Sequence, residues 1–448
     1  MQPGLSFEQA PPISVPFRFF LTAPLFGMAA GLLLLWQGPA ALASRWTGVA
    51  LALTHLIAVG FMLQAMCGAM MQMLPVAAGA NIWQPQRVTH LTHAGLTIGT
   101  LLLLAGFLSE QALFFRIAVP FMTVSLGAFA LIVLVALFRT PAKGPTIIAL
   151  RIAVFGLIVT ISLGATLASA FGWQLALPLT EITHVHAAWG LGGWSLLLVA
   201  GVGYLVVPMF QLTPPYPQWF TRSFSVALFF LLAAWSITWL PLQRPDALQV
   251  ALGSAAALLA VVFAVVTLRL QMQRRRKVTE PTLLFWRLAM ACLVAAAAGV
   301  ILQQLKPGEG EDYAGTPFLL GVLLMVGVFM PVISGMLYKI MPFLNWLHLQ
   351  KIGKPGLVVP NMRQMIPEAR MMMQFRLHLA ALALLLAAVP LPLLVYPGAL
   401  ALIASCAWLE WNLVEATRNY ARFSRELEER LAQEQVEPSP RPPSLGRG

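Results

Sequence analysis

Two histidines separated by a single residue, His184 and His186, open a long apolar, glycine-rich stretch that runs to Phe210. An imidazole is costly to keep inside a lipid bilayer, so it usually marks a metal, a proton path or a polar partner. On an α-helix, side chains two residues apart diverge by about 200° and cannot share one face. The pair therefore predicts that one helix serves two different neighbours.

A third histidine, His55, lies about two turns into an earlier apolar stretch, at a depth similar to that of the pair. Imidazoles from two helices in one layer are what a haem iron with two histidine ligands requires, because each ligand approaches one face of a flat ring. The alternative for each residue is a histidine that bonds to a backbone carbonyl or lines a polar path. His184 could also cap its helix in the headgroup layer.

Three further residues are weaker candidates for a site. His90 and His93 are three apart, as a metal site would require, but no carboxylate or thiol near them completes a ligand set, and an interfacial position is the favoured interpretation. Glu181 precedes His184 by one turn. It either orients an imidazole through the ring N–H or is a solvated loop residue.

The composition is that of a polytopic membrane protein. Of the 448 residues, 59% are hydrophobic and 10% are charged, the mean hydropathy is +0.80, and apolar runs of about 20 residues recur along the chain. The net charge of +12 could indicate nucleic acid. However, Lys and Arg lie in the connecting loops and the tail, where membrane topology places them, so we expect a lipid bilayer and no nucleic acid as the partner.

We expect an all-α integral membrane domain over residues 18–416, between a cytoplasmic segment, 1–17, and a cytoplasmic, partly disordered polar tail, 417–448, whose first part could continue the last helix into water. The positive-inside rule puts both termini in the cytoplasm, as in a bacterial-type inner membrane. The twelve predicted spans are 18–37, 48–75, 89–108, 114–138, 147–170, 184–208, 221–241, 248–270, 283–303, 316–342, 373–394 and 396–416.

An internal repeat organises these spans. Spans two, six and ten each carry glycines 15 and 7 residues before a proline, namely Gly60, Gly68 and Pro75, then Gly193, Gly201 and Pro208, then Gly327, Gly335 and Pro342. The pattern predicts three four-helix repeats in a pseudo-threefold ring. The glycines permit close approach of a neighbour or a flat ligand, and the proline is expected to end the helix.

The motifs ALTHLIAVGF in span two and HVHAAWGLGGW in span six resemble the catalytic subunit of haem-copper oxidases and nitric-oxide reductases. The N-terminal SVPFRFF and the length are also similar to NnrS-type haem proteins. The resemblance implies that His55 and His186 hold one haem, of b type, and that His184 could serve a second. It implies electron transfer or a response to nitric oxide or dioxygen, with cytochrome c or quinol as the electron donor and a possible partner subunit.

The chain departs from that family at several positions. The family has its H-x-H motif on span ten, whereas here it lies on span six. Nothing matches the copper ligands, because Arg222 and Ser223 begin span seven. The resemblance thus supports a haem more than copper, and activity as an oxidase or nitric-oxide reductase would require a second metal. The alternative from another class is a transporter or channel-like protein without haem.

Overall fold

In the computed structural model, residues 11–239, 246–304, 315–352 and 359–436 are described, and these ranges contain helices and no strand. Twelve helices are long and apolar enough to cross a membrane, which confirms an all-α, multi-pass membrane protein. They are α1 Ser14–Leu42, α2 Gly48–Val76, α3 Pro85–Ser109, α4 Ala112–Arg139, α5 Pro145–Trp173, α6 Leu179–Gln211, α7 Gln218–Ile237, α8 Ala247–Met272, α9 Pro281–Gln304, α10 Thr316–Ile352, α11 Glu368–Ala388 and α12 Pro392–Gln433.

Several ends differ from the predicted ones. α1 begins at Ser14, inside the predicted N-terminal segment 1–17, and α12 continues well past residue 416 into the charged tail. An i, i+4 pair in that extension, Arg422 and Glu426 at 3.9 Å, is of the kind that supports a solvated helix. Residues 1–10 and 437–448 of the two predicted segments lie outside the described residues.

The outer surface of the bundle is apolar. Leu32, Phe138 and Phe230 are each more than half exposed, although they belong to membrane-spanning helices. An apolar surface of this size would be unfavourable in water. In the hydrocarbon of a bilayer it is expected, because a helix already satisfies its own backbone hydrogen bonds and apolar side chains can face the lipid. The exposed side chains therefore face lipid.

Three helices contain a π-helical segment of eight residues, and these segments begin 133 residues apart. They are Leu56–Leu63 in α2, Trp189–Leu196 in α6 and Val322–Phe329 in α10. A π-helical segment is rare and often accompanies a functional site. Its recurrence at one spacing in the three helices that share the glycine–proline frame is independent support for the internal repeat.

The second glycine of each frame lies where its helix crosses the helix that precedes it in the chain. A Cβ atom would lie 2.8 Å from a neighbouring side-chain carbon at all three positions: Gly68 against Phe19 of α1, Gly201 against Ala149 of α5, and Gly335 against Phe285 of α9. Close helix packing therefore explains these glycines, as the sequence predicts. Elsewhere in the bundle, α4 packs on α5, α8 on α9, and α12 on α1.

The proline of α10 does not end its helix, which continues for ten residues beyond Pro342 to Ile352. The helical segments that contain Pro75 and Pro208 end three residues after the proline, close to the predicted ends. The prediction is wrong for α10 because a proline removes only one hydrogen bond, and in a membrane neighbouring helices tolerate that loss. His348, which lies beyond the predicted end of this span at residue 342, is therefore part of α10.

Candidate functional site

The candidate site lies at the end of the bundle where α2, α6 and α10 begin, which we call the histidine end. α2 starts there with Thr47, whose side chain accepts a hydrogen bond from the backbone N–H of Ala50. This cap fixes the first turns of α2 and hence the position of His55, the last residue before the π-helical segment. α6 begins with Leu179 and brings His186 to its own π-helical segment three residues later.

His55 is held by its own helix. Its Nδ1 lies 2.7 Å from the carbonyl oxygen of Leu51, four residues earlier. Because a carbonyl can only accept, Nδ1 must carry the proton, which leaves the lone pair on Nε2. That nitrogen makes no hydrogen bond with another described residue. The imidazole is therefore oriented in the tautomer that a metal ligand needs.

His186 is held by a neighbouring helix in the same way. Its Nδ1 lies 3.1 Å from the carbonyl oxygen of Thr160 on α5, so this ring also keeps its lone pair on Nε2. One turn further along α5 is Gly164, where a Cβ atom would lie 2.9 Å from His186 Cε1. Thr160 and Gly164 lie on one face of α5. The carbonyl of Thr160 accepts the hydrogen bond from the ring, and the absence of a side chain at Gly164 leaves room for the ring.

The two imidazoles lie close together and nearly parallel. Their ring centres are 6.5 Å apart and their planes differ by 17°. Two metal–nitrogen bonds of about 2.0 Å, with about 1.1 Å from each nitrogen to its ring centre, give a separation of about 6.2 Å for two ligands of one metal ion. The observed separation is within a few tenths of an ångström of that value and is too long for a direct hydrogen bond between the rings.

Phenylalanines form an apolar wall beside this pair. The ring of Phe107, at the end of α3, lies 5.2 Å from that of His55. Phe107 in turn contacts Phe115 and Phe171, with ring centres 5.1 and 6.1 Å away. An apolar wall next to two neutral imidazoles suits a flat, largely hydrophobic ligand better than a hydrated ion.

His184 has different neighbours, which confirms that the two histidines of the H-x-H motif serve two sides. Its Nε2 lies 2.8 Å from the guanidinium of Arg45, in the connection between α1 and α2. Its ring is stacked with Trp46 at 6.3 Å and meets the edge of Trp239 at 4.4 Å. Arginine donates in this bond, so the Nε2 lone pair of His184 is engaged, unlike that of His55 or His186.

The remaining candidates lie apart from the pair. His90 is exposed, whereas His93 is half-buried at the start of α3, with its Nε2 2.8 Å from the hydroxyl of Thr22. Both belong to the end opposite the histidine end. Glu181 is exposed and makes no hydrogen bond with His184 or another described residue. Within the described parts of the chain, no group of three or more His, Cys, Asp or Glu side chains could hold a metal ion.

Sequence reasoning missed the role of two other groups. His378, near the start of the predicted span 373–394, is buried in α11, and its Nε2 lies 2.8 Å from the carbonyl oxygen of Val326, in the π-helical segment of α10. Lys339, near the end of the predicted span 316–342, donates to the buried carboxylate of Glu280 at 2.6 Å. Glu280 directly precedes α9 and also pairs with Arg276.

No family model matches this chain, and no curated protein resembles it closely enough to count as a relative.

Proposed function

We propose that this is a haem-binding membrane protein in which His55 and His186 are the two axial ligands of one haem, and that it acts in electron transfer or in a response to nitric oxide or dioxygen. The observation that supports this most is the pair of imidazoles 6.5 Å apart, each held through Nδ1 by a backbone carbonyl. Two neutral imidazoles from different helices are a donor set that haem iron accepts. The apolar wall fits the same group.

The chain's own groups would set the properties of such a haem. The carbonyls of Leu51 and Thr160 fix the tautomer and the orientation of the imidazoles and increase their basicity, as partners of metal ligands do. When bound, the haem would supply a one-electron iron couple. With His55 and His186 filling both axial positions, electron transfer is favoured over the binding of a gaseous ligand. We propose a b-type haem, because no covalent attachment motif such as C-x-x-C-H occurs in the chain.

A second haem on His184 and a copper centre have less support. The hydrogen bond from Arg45 would have to be released before His184 Nε2 could bind iron. A complete oxidase or nitric-oxide reductase centre would need a further metal, and the described residues provide no cluster of ligands for it.

We also propose the finer architecture: three repeats of four helices in a pseudo-threefold ring, in a bacterial-type inner membrane, with both termini in the cytoplasm. The recurring π-helical segments support the repeats. The packing of α12 on α1, together with that of α4 on α5 and α8 on α9, supports closure of the ring. Cytochrome c or quinol would then donate electrons, directly or through a partner subunit.

The test is the absorption spectrum of the purified protein together with its iron and copper content per chain. We expect one iron, no copper, and the spectrum of a low-spin haem with two histidine ligands. His55→Ala and His186→Ala should each abolish that spectrum, whereas His90→Ala, a change at an exposed position, should leave it intact. An unaltered spectrum in His55→Ala would refute the ligand assignment. A colourless protein without iron would favour the transporter or channel alternative.

A further inference from the structure

A groove runs between α11 and α12 in the half of the bundle opposite the histidine end. It is lined by Met373, Leu377, Ala404, Ala407, Trp408 and Trp411 and has a volume of about 450 Å³. The small side chains of the two alanines form the bottom of the groove, and the larger methionine, leucine and tryptophan side chains form its walls. No polar side chain is among the lining residues, so its occupant must present hydrocarbon to it.

Arg370 stands at the end of this groove, at the start of α11. Its guanidinium carbon lies 5.1 Å from the centre of the Trp411 ring, in a cation–π contact. Its carbonyl oxygen accepts a hydrogen bond of 3.0 Å from the indole N–H of Trp408. Both tryptophans of the groove thus hold the same residue, one by its side chain and the other by its backbone.

The charge of Arg370 is not neutralised by a carboxylate of the described residues. Glu368, two residues earlier, lies 4.0 Å from Arg363 instead. Glu410 is next to Trp411 in sequence but about 100° around the helix from it, and one of its carboxylate oxygens is buried. A cation that faces the end of an apolar groove is complementary to an anion that carries a hydrocarbon chain.

We propose that this groove is a binding site for an anionic phospholipid, with the phosphate on Arg370 and an acyl chain along the groove toward the membrane centre. A guanidinium binds phosphate oxygens in pairs, and tryptophan is favoured at the depth of the headgroups. An uncompensated cation distinguishes an anionic lipid from a zwitterionic one, whose own ammonium already balances its phosphate. The site does not involve the histidine pair and is independent of the proposed haem.

The test is native mass spectrometry of the purified full chain in detergent, titrated with phosphatidylglycerol or with phosphatidylcholine of the same acyl chains. We expect phosphatidylglycerol to bind more tightly by about fivefold or more, the effect of one basic group near the headgroups. Arg370→Gln should remove that preference and leave phosphatidylcholine binding unchanged. Inorganic phosphate should not compete, because it has no acyl chain to fill the groove.

Two further variants keep the result interpretable. Arg376→Gln removes an exposed arginine on the same helix, about 240° around from Arg370, and should leave the preference intact. Ala407→Phe fills the groove from an exposed position and should weaken both lipids. Equal binding of the two lipids to the unaltered chain, equal losses in Arg370→Gln and Arg376→Gln, or displacement of the lipid by inorganic phosphate would each overturn the proposal.

Discussion

The imidazole planes of His55 and His186 differ by 17°, although different helices fix the two rings. His55 takes its orientation from Leu51 within α2, and His186 takes its orientation from Thr160 of α5. The near-parallel arrangement therefore depends on how α2, α5 and α6 pack together, and not on either histidine alone. Rings anchored in this way should keep their relative angle when they bind a ligand between them.

The first prediction concerns the electronic spectrum of the proposed haem. Two near-parallel imidazoles should give the oxidised iron a rhombic low-spin electron paramagnetic resonance spectrum, because both ligands interact with the same iron d orbital. Perpendicular imidazoles would give a highly anisotropic signal instead. The measurement is the electron paramagnetic resonance spectrum of the purified, oxidised protein at low temperature. A highly anisotropic signal would mean that the rings rotate away from the orientation set by Leu51 and Thr160.

A second prediction tests the space that Gly164 leaves for His186. In Gly164→Ala the new methyl carbon would lie 2.9 Å from His186 Cε1, so the ring must shift, at a cost of about 1–3 kcal/mol for such overpacking. We expect lower haem occupancy, measured as haem per protein after purification. Gly127→Ala is the matched control, since its Cβ would meet nothing within 4 Å. If both variants retain full occupancy, Gly164 does not make room for the ligand ring.

The sequence predicts the twelve spans because lipid demands long apolar helices, and this demand leaves a signal in hydropathy alone. The glycine frame also predicts close helix packing, and α2, α6 and α10 do pack on the helix that precedes each of them, at Gly68, Gly201 and Gly335. The divergence of His184 and His186 follows from helix geometry. These features can be predicted because they depend on the local order of residues along the chain or on the lipid that surrounds the helices.

What the sequence does not reveal is decided by tertiary packing. No spacing rule indicates that Thr160 and Gly164 of α5 would hold His186, or that Arg45 would bind His184 across 139 residues. Each π-helical segment contains the first glycine of its frame, but a glycine in an apolar helix does not by itself predict a π-helix. His378 resembles an interfacial histidine by its position near a helix start, but the carbonyl of Val326 gives it a buried partner.

A third prediction separates the two histidines of the H-x-H motif. His184→Ala should leave the low-spin haem spectrum in place, because the Nε2 of His184 accepts a hydrogen bond from Arg45 and the ring packs between Trp46 and Trp239. His186→Ala should lose that spectrum. Absorption spectra of the two variants, normalised to protein concentration, provide the comparison. A loss of half the haem in His184→Ala would instead support a second haem on His184.

The last prediction concerns the ion pair at the start of α9. The side chains of Glu280 and Lys339 are 11% and 24% exposed, and Lys339→Met would leave the carboxylate with Arg276 as its one ion-pair partner among the described residues. We expect a loss of about 1–3 kcal/mol in stability, seen as a lower unfolding temperature in detergent. Adding Glu280→Gln to Lys339→Met should recover part of the loss, because the buried side chain then carries no charge. Arg363→Gln, at an exposed pair, should change stability by less than about 0.5 kcal/mol. If Lys339→Met is as mild as Arg363→Gln, the Glu280 carboxylate does not depend on Lys339 and the pair does not help to fix α9 against α10.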